Sequence, residues 1–306
     1  MEGINVTKKE KGQVKKVYAF LKKISPALIG IAVIAAGVFI GCFISFYVFG
    51  GSSGYNSEDL SSSDYSSESE TSSDQACSVI GINLHGTVVT YIPNHAEGDS
   101  FFDYDQTSSE EVTWSIEDAN LDPDIKAILI EVDSGGGSPV AGEEIAKAVK
   151  ASAKPVIAVI RDLGVSSAYW AISSADKIFA SANSDVGSIG VTMSYVSNVE
   201  KNKKEGLIYE QISSGEFKDS GNPDKALTAG EKALFMRDIN IIYNNFIKSV
   251  SENRGLTMAA VKSFADSSSV LGEKAKELGL IDKIGGIEEA KAYLNEVTDG
   301  EPVICW

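Results

Sequence analysis

The sequence predicts an α/β domain whose strands are parallel. Two nearly continuous apolar runs, residues 125–133 (IKAILIEVD) and 154–160 (KPVIAVI), are typical of strands buried on both faces of a sheet. Residues 140–153 lie between them and carry apolar side chains at helical spacing. Because a strand, a helix and a second strand follow one another, we expect a right-handed crossover and parallel pairing.

The same alternation continues on both sides of this unit. The further elements predicted, in chain order, are a strand (78–89), a helix (166–175), a strand (176–181), a long amphipathic helix that ends at Gly255 (227–255) and a closing helix, strand and helix (270–294). This alternation contains no internal repeat. We therefore expect one folded domain over residues 78–299, followed by a C-terminal tail at 300–306.

The N-terminal quarter of the chain differs in composition from this domain. Residues 1–26 contain seven Lys and two Glu, residues 27–50 carry no charged side chain, and residues 51–77 are rich in Ser and acidic residues. The uncharged run is long enough to cross about 30 Å of hydrocarbon and longer than the apolar part of a cleaved signal peptide, which is the alternative. The sequence thus predicts a transmembrane anchor at 27–50 and a disordered linker at 51–77.

The distribution of charge predicts the orientation and the partners. Because the Lys-rich residues 1–26 precede the anchor, they are expected to be a cytoplasmic tail, which places the folded domain outside the cytoplasm of a single-pass cell-membrane protein. The whole chain carries a formal net charge of −16 although this tail is basic, so the folded domain is strongly acidic. An acidic domain repels phosphates, which argues against nucleic acid as a partner.

The cysteines and histidines do not form a metal-binding pattern. Cys42 lies in the predicted anchor, whereas Cys77 and Cys305 lie near the two ends of the predicted domain. An oxidising exterior would permit a disulfide between these two, and two free thiols are the alternative. His85 and His95 are not at ligand spacing from the cysteines, so neither a metal nor another cofactor is expected.

Two stretches of small residues follow the buried strands, where α/β domains place their ligands. The first is residues 133–137 (DSGGG), whose glycines leave backbone N–H groups accessible to an anion. The stretch lacks the G-K-[ST] of a phosphate-binding loop, and G-x-G-x-x-G is absent as well. An oxyanion hole is therefore favoured over a nucleotide site, with a plain strand-to-helix turn as the alternative.

The second stretch, Gly164 to Trp170, contains a candidate nucleophile. Ser166 begins the predicted helix, a position where Ser is most often an N-cap. The stretch is not a G-x-S-x-G elbow, and both histidines precede the first glycine stretch, so no catalytic-triad histidine is evident. If Ser166 is a nucleophile, its base must be another residue. A lysine can serve when burial lowers its pKa.

Several motifs together resemble those of the signal peptide peptidase A family, peptidase family S49. That family's order and spacing are found in IEVDSGGGSPVAGEEI, KPVIAVIRDLGVSSAYWAISSADKIFA, VGSIGV, SSGEFKDSG, LTAGEK and LGEKAKELGLIDKIGG. The resemblance covers about residues 78–296. It implies a Clp-protease/crotonase-like fold of repeated ββα units and a serine peptidase that uses a Ser/Lys dyad.

The resemblance also implies roles at the positions that match the family motifs. Ser166 corresponds to the nucleophile, Lys218 to the general base and Ser188 to the serine that assists the lysine. The backbone N–H groups of Gly136 and Ser167 correspond to the oxyanion hole.

The chain departs from the family pattern beside the predicted nucleophile. Ser167 and Ala168 stand where the family has two glycines, and Gly135 stands where it has a proline. The adjacent serines leave a register ambiguity, in which Ser167 is the second candidate for the nucleophile.

The resemblance and the predicted anchor together imply a membrane-anchored serine endopeptidase at the outer face of the membrane. Its expected substrates are cleaved signal peptides or other small unstructured peptides with small or apolar side chains. It is expected to form a homo-oligomeric ring, an octamer, in which the base acts across a subunit boundary. Two alternatives stay open, a peptide-binding scaffold that has lost catalysis and a peptidase directed at exogenous antimicrobial peptides.

Overall fold

A computed structural model describes residues 76–93 and 105–306, which lie in one compact unit. The predicted cytoplasmic tail, the predicted anchor and the predicted linker as far as residue 75 lie outside the described residues, as do Cys42 and His95. Among the helices of the described part, none has both the length and the apolar character needed to cross a membrane.

The described residues form a mixed α/β domain. Its elements, in chain order, are β1 (Val79–Val89), β2 (Gln106–Ser108), α1 (Ser109–Leu121), β3 (Ala127–Gly137), α2 (Pro139–Ala151), β4 (Val156–Val165), α3 (Ser167–Ile172), β5 (Lys177–Ala180), β6 (Asp185–Gly187), α4 (Val199–Glu205), α5 (Ala229–Arg254), α6 (Met258–Phe264), β7 (Ser269–Leu271), α7 (Gly272–Glu277), β8 (Lys283–Ile284), α8 (Ile287–Thr298) and β9 (Ile304–Cys305).

The strands form one sheet with the order β2-β1-β3-β4-β5-β8. β9 pairs with the first residues of β1, and β6 pairs with the last residues of β4. The described pairs are parallel except for β6 with β7. The predicted parallel order β3-β4-β5, with α2 and α3 as the connecting helices, is confirmed.

Helices cover both faces of this sheet. Because successive side chains of a strand point to opposite faces, β3 contributes to two cores. Ile128, Ile130 and Val132 belong to the larger core, which includes side chains of α1, α2, α3 and α5. Ala127 and Leu129 belong to the smaller core, where they pack with residues of α8. Full burial of each such isoleucine or leucine contributes about 1.5–3 kcal/mol.

The glycine stretch differs from the sequence-based expectation of a turn. β3 continues through it to Gly137, because β1 runs alongside and remains paired with it. The register shifts between His85 and Thr87, and Thr87 then lies opposite Gly136. The stretch is therefore the irregular end of a strand, and the helix that follows begins only at Pro139.

The structure contains the disulfide between Cys77 and Cys305, with a Cα–Cα distance of 5.9 Å. The bridge joins the residues just before β1 to β9, which lies within the predicted C-terminal tail. The backbone N–H of Ser78 also donates to the carbonyl oxygen of Val303 at 3.0 Å. The two ends of the domain are thus joined covalently and by hydrogen bonds.

The long helix α5 begins with a reciprocal cap that includes a buried carboxylate. Thr228 N donates to Glu231 Oε2 at 2.8 Å, and Glu231 N donates to Thr228 Oγ1 at 3.2 Å. Lys225 Nζ lies 2.8 Å from Glu231 Oε1. The bond to the Lys225 ammonium and the backbone bond from Thr228 lower the pKa of Glu231 from 4.5 to about 2.

This cap predicts a specific contribution to acid sensitivity. Because the pKa of Glu231 is depressed in the folded state, its stabilisation is complete above pH 4.5 and is lost as the pH falls towards about 2. Glu231→Gln should lower stability at neutral pH and flatten the pH dependence over that interval. Urea unfolding at a series of pH values measures this. The exposed Glu273→Gln is the matched control, and parallel curves for Glu231→Gln and the parent would contradict the expectation.

Candidate active site

Ser166 lies at a sharp junction between β4 and α3. Its backbone has φ 55° and ψ −130°, in the region that L-residues rarely adopt. Such a conformation costs on the order of 1–3 kcal/mol and is found most often at functional sites. The Ser166 side chain makes no capping hydrogen bond to the helix. The hydroxyl is therefore not used as an N-cap.

Gly136 brings the end of β3 directly against this junction. A Cβ atom at Gly136 would lie 2.7 Å from Ser166 Cβ and 3.0 Å from Ser167 N. The φ of Gly136 is also positive, at 95°. Both the missing space and the backbone conformation therefore require glycine here. The two stretches of small residues that the sequence singled out meet at this point.

Gly136→Ala is expected to lower kcat/KM for peptide hydrolysis by about 10²-fold or more, because the new methyl group must displace Ser166. Gly135→Ala is the matched control, since a Cβ at Gly135 meets nothing within 4 Å. The measurement compares the hydrolysis of one fluorogenic peptide by the two variants, with circular dichroism to confirm that both are folded. Equal losses in the two variants would show that the approach of Gly136 to Ser166 is unimportant.

The pairing of β4 with β6 places Ser188 beside Ser166. Val165 lies opposite Gly187 in the parallel register, and each is followed directly by one of the two serines. The backbone N–H of Ser166 donates to the carbonyl oxygen of Gly187 at 2.8 Å. Ser166 and Ser188 line the same cavity, which has a volume of about 470 Å³.

Ser267 is a residue of this cavity that the sequence analysis missed. Ser188 Oγ donates to the carbonyl oxygen of Ser267 at 2.9 Å. Ser188 and Ser267 have φ values of 47° and 75°, so with Ser166 they are three of the four non-glycine residues with positive φ in the described ranges. A hydroxyl has one donor and two lone pairs, so Ser188 keeps its lone pairs for another donor such as a lysine. Ser267 lies in a run of serines without a motif, and no sequence signal indicates its role.

The two predicted oxyanion donors differ in their availability. Ser167 is the first residue of α3, and the first N–H groups of a helix lack intrahelical acceptors. The N–H of Gly136 instead donates to Ser134 Oγ at 3.0 Å. Ser134 Oγ in turn donates to the carbonyl oxygen of Gly86 at 2.6 Å. To bind an oxyanion, the N–H of Gly136 would therefore have to give up its hydrogen bond to Ser134 Oγ. The N–H of Ser167 would have no intrahelical hydrogen bond to give up.

The cavity around Ser166 is lined only by uncharged side chains. Its lining residues come from the end of β3, the start of α2, α3, the segment after β6, α5 and the loop before β7: Gly137, Pro139, Ser166, Ser167, Trp170, Ser188, Gly190, Val191, Thr192, Phe246 and Ser267. Lys218 is not among them. His85 lies on β1, where its Nε2 is 3.4 Å from Glu131 Oε1, and it does not line the cavity either.

Lys218 lies in an exposed turn of the same chain. The next residue, Asp219, accepts hydrogen bonds from the Tyr209 hydroxyl and from Asn222 Nδ2, and the Tyr209 bond in particular lowers the pKa of its carboxyl. The segment before Lys218, residues 193–217, exposes seven large hydrophobic side chains: Met193, Val196, Leu207, Ile208, Tyr209, Ile212 and Phe217. The described chain thus brings Ser166, Ser167, Ser188 and Gly136 together and leaves Lys218 at the surface.

Comparison with known proteins identifies the family. A family model described as Peptidase family S49 matches residues 148–299. A putative protease of Methanocaldococcus jannaschii is 33% identical over 208 residues, which cover 67% of each chain. The chain belongs to peptidase family S49. It is thereby a serine peptidase of the group that includes signal peptide peptidase A.

Two further S49 relatives and one solved structure are similar to parts of this peptidase. A putative signal peptide peptidase SppA of Enterococcus faecium is 29% identical over 62% of this chain and 56% of its own length. Protease 4 of Haemophilus influenzae is 28% identical over 68% of this chain and 33% of its own length. A mutant ClpP1 from Listeria monocytogenes has a TM-score of 0.44 and 14% identity, over 68% of this chain and 92% of that one. The chain thus spans between one third and two thirds of the curated relatives named here.

The structure bears on the register ambiguity of this S49 peptidase. Ser167 is 3% exposed, and its Oγ is fully buried without a hydrogen-bond partner among the described residues. It packs against α2, where a Cβ at Gly142 would lie 3.0 Å from Ser167 Cβ. A hydroxyl buried in this way is not positioned to attack a substrate. The arrangement therefore favours Ser166 over Ser167 as the nucleophile.

Ser167→Ala is expected to stabilise the S49 peptidase and to preserve its activity. An unsatisfied buried hydroxyl costs about 1–3 kcal/mol, and alanine removes that group while keeping the backbone N–H of the predicted oxyanion hole. Urea unfolding and peptide hydrolysis measure the two properties. Ser115→Ala serves as a control for removing a serine hydroxyl, because the Ser115 hydroxyl makes a solvent-exposed hydrogen bond to the carbonyl oxygen of Glu111. Loss of hydrolysis in folded Ser167→Ala would instead indicate that Ser167 is the nucleophile.

Proposed function

We propose that this chain is a membrane-anchored serine endopeptidase in which Ser166 is the nucleophile and Lys218 of a neighbouring copy is the general base. The observation that carries the proposal is the geometry of Ser166. Its backbone is held in a rarely adopted conformation, its hydroxyl is not used for capping, and it lines an uncharged cavity together with Ser188. Strained backbone of this kind clusters at active sites, and a serine hydroxyl that is not used for capping is available as a nucleophile.

The reaction proceeds by acyl transfer. The neutral Lys218 amine accepts the proton of Ser166 Oγ as this oxygen bonds to the peptide carbonyl carbon. The N–H groups of Ser167 and Gly136 stabilise the negative charge on the carbonyl oxygen. The ammonium of Lys218 then protonates the leaving amine as the peptide bond breaks. In the second half of the reaction, Lys218 accepts a proton from water as the water oxygen attacks the acyl-enzyme. Lys218 then returns the proton to Ser166 Oγ as the ester bond breaks.

An exposed lysine in water is protonated and cannot act as a base. A second copy that covers Lys218 would remove water from its amine, and desolvation disfavours the charged form of a lysine, as the reaction requires. The apolar side chains of residues 193–217 support such an interface, because an exposed apolar segment is typical of a protein–protein contact. Ser188, whose lone pairs are free to accept from a lysine, would then orient the incoming amine. The assembly we propose is a ring, an octamer.

The proposed location follows from the N-terminal residues and the disulfide, and the proposed substrates follow from the family resemblance and from tethering at the membrane. The apolar run at 27–50 anchors the domain, and the linker at 51–77 holds it away from the bilayer. The Cys77–Cys305 bridge supports an oxidising, extracytoplasmic environment. The similarity to a putative signal peptide peptidase supports cleaved signal peptides and other short unstructured peptides as the substrates, which would enter the cavity without unfolding.

Covalent labelling tests the proposal most directly. A fluorophosphonate probe is expected to modify the parent protein at a single serine, which mass spectrometry of the labelled peptide should identify as Ser166. Ser166→Ala should abolish the labelling, and Ser115→Ala should preserve it. Sedimentation of the domain should show an oligomer. Failure to label the folded parent would favour a peptide-binding scaffold without catalysis, and a labelled monomer would exclude a base supplied by another copy.

A further inference from the structure

We propose that the groove between α1 and α2 binds positively charged residues of a peptide substrate, a few residues away from the bond that is cleaved. The inference rests on the proposed function for the nature of the ligand. It goes further by assigning a second binding site, which shares no lining residue with the cavity around Ser166. It also states which peptides this site favours, namely those that carry lysine or arginine outside the cleaved region.

The groove has a volume of about 1010 Å³, compared with about 470 Å³ for the cavity around Ser166. Each helix faces it with residues that recur at positions i, i+4 and i+7, the spacing of a single helical face. These residues are Glu110, Trp114 and Glu117 of α1 and Glu144, Ala148 and Ala151 of α2. The two alanines carry only a methyl group each, so α2 leaves open the space that longer side chains would fill.

The groove begins at the edge of the sheet where Ser166 lies. Gly137 lines the cavity around Ser166 and is paired with Val88 of β1. Thr90 lines the groove and follows Val88 by two residues, which is about 7 Å at the rise of a strand. Pro139, the first residue of α2, lines the cavity around Ser166, and later residues of the same helix line the groove. An extended peptide advances about 3.3–3.6 Å per residue, so about three to six residues beyond the attacked carbonyl group are enough to reach the groove.

The charged groups of the groove favour a cation. Three carboxylates, those of Glu110, Glu117 and Glu144, line it together with the single ammonium of Lys147. Lys147 Nζ lies 2.6 Å from Oε1 of Glu143, which is not a lining residue, so the charge of this lysine is already compensated. Among the residues that the structure describes, none of the three carboxylates forms an ion pair. A lysine or arginine of a bound peptide would supply the missing partner.

Glu144 is held in place from below and keeps capacity for a ligand. Ser109 is fully buried, and its hydroxyl donates to Glu144 Oε2 at 2.5 Å. An ionised carboxylate accepts about four hydrogen bonds, so this single bond leaves most of its acceptor sites available. The carboxylate is therefore oriented before a cation arrives.

Two exposed aromatic side chains complete the groove. Trp114 is 55% exposed and Tyr91 is 62% exposed, and both are lining residues. The face of an aromatic ring attracts a cation, and the aliphatic stem of lysine or arginine packs against it. Aromatic rings beside carboxylates without ion-pair partners fit such a side chain better than an acidic or a purely apolar one.

The same charges disfavour other occupants of the groove. The linker at 51–77 is rich in acidic residues, and the folded domain is itself strongly acidic, so the groove carboxylates would repel both the linker and a second copy. Nucleic acid and anionic lipid are repelled for the same reason. A cationic peptide is the ligand that the charge and the aromatic rings favour together.

Peptides that share one cleaved sequence and differ only in an extension provide the test. The extension, about four residues from the cleaved bond on either side, contains two lysines, two serines or two glutamates. We expect the full-length parent to hydrolyse the lysine peptide with a KM about tenfold lower than that of the serine peptide and with an equal kcat, because the groove acts away from the reacting atoms. The glutamate peptide should have the highest KM. The advantage of the lysine peptide should shrink as NaCl is raised from about 50 to about 500 mM.

Variants of α1 locate the effect. Glu110→Gln together with Glu117→Gln should remove most of the advantage of the lysine peptide, and Trp114→Ala should reduce it about threefold. Glu111→Gln together with Asp118→Asn is the matched control, because it changes the net charge of the same helix equally at two residues that do not line the groove. All five positions are exposed, so the variants are expected to fold.

Equal KM values for the lysine and serine peptides in the parent would overturn the inference, and so would equal losses in the groove and control variants. If Trp114→Ala sediments as a smaller species and keeps the parental ratio of KM values, the groove binds a second copy instead. Anisotropy of labelled peptides bound to full-length Ser166→Ala separates this site from the proposed function. A preference for the lysine peptide that needs Glu110 and Glu117 supports the groove even if the parent neither hydrolyses peptides nor reacts with fluorophosphonate.

Discussion

Mixing Ser166→Ala chains with Lys218→Ala chains is expected to restore peptidase activity that neither variant has alone. Removal of a nucleophile or of its base typically costs about 10⁴–10⁶ in kcat, so each variant by itself should be inactive. If Ser166 and Lys218 of different copies form each site, a mixed ring contains some interfaces where both are intact. In a randomly mixed ring roughly a quarter of the interfaces meet that condition, so about that fraction of parental activity should return.

The experiment needs rings that contain both variants, which is achieved by co-expressing two differently tagged chains and purifying on both tags. Ser166→Ala mixed with the double variant Ser166→Ala, Lys218→Ala is the negative control, because no interface in it holds both groups. Lys276→Ala, an exposed lysine in the last turn of α7 and outside the proposed interface, should keep parental activity by itself. If doubly tagged rings of the two single variants stay inactive, the base does not come from a neighbouring copy.

The turn that carries Lys218 is fixed by the contacts of the residue after it. Asp219 follows Lys218 directly, and its carboxylate is held by the Tyr209 hydroxyl and Asn222 Nδ2. These contacts fix the turn that presents the lysine, although the lysine itself stays exposed in the single chain.

Much of the fold could be predicted from the sequence because its elements have strong local periodicity. Ile128 and Ile130 lie in an apolar run that only a strand buried on both faces explains, and Gly255 ends the long helix α5 with φ 65°. The glycine stretch was harder to interpret, since glycines are found in turns and in irregular strand ends alike. The neighbouring strand β1, distant in sequence, keeps Gly136 paired as part of β3.

The candidate site could be predicted only in part, because it also depends on contacts between residues that are distant in sequence. Ser166 and Gly136 lie in motifs, and the structure brings them into contact. Ser267 lies in no motif and reaches the site through the carbonyl group that Ser188 contacts. The stacking of Trp170 on Phe246 joins residues 76 positions apart, through the packing of α3 on α5. Contacts of this kind depend on tertiary packing, which local spacing does not encode.

Reduction of the Cys77–Cys305 bridge is expected to cause a large loss of stability without a loss of catalytic rate in the molecules that stay folded. The bridge spans 228 positions of sequence, and a disulfide that closes so long a loop restricts the unfolded chain strongly. Its removal should cost about 2–5 kcal/mol. β9 has only two residues paired with β1, and Val303 adds hydrogen bonds to Ser78 and Val79, so the bridge reinforces a short junction.

We expect kcat to stay unchanged because the parallel strands separate the bridge from the candidate site. Cys77 precedes the amino end of β1, whereas Ser166 follows the carboxyl end of β4, and β1, β3 and β4 are parallel. The bridge and the candidate site therefore lie towards opposite ends of the sheet. Urea unfolding with and without dithiothreitol, and of Cys77→Ser together with Cys305→Ser, measures stability, and kcat below the unfolding transition measures the rate. Cys42→Ser controls for the remaining thiol. Unchanged stability would show that the bridge does not hold the domain together, and a lower kcat in folded protein would show that the two ends of the sheet are coupled.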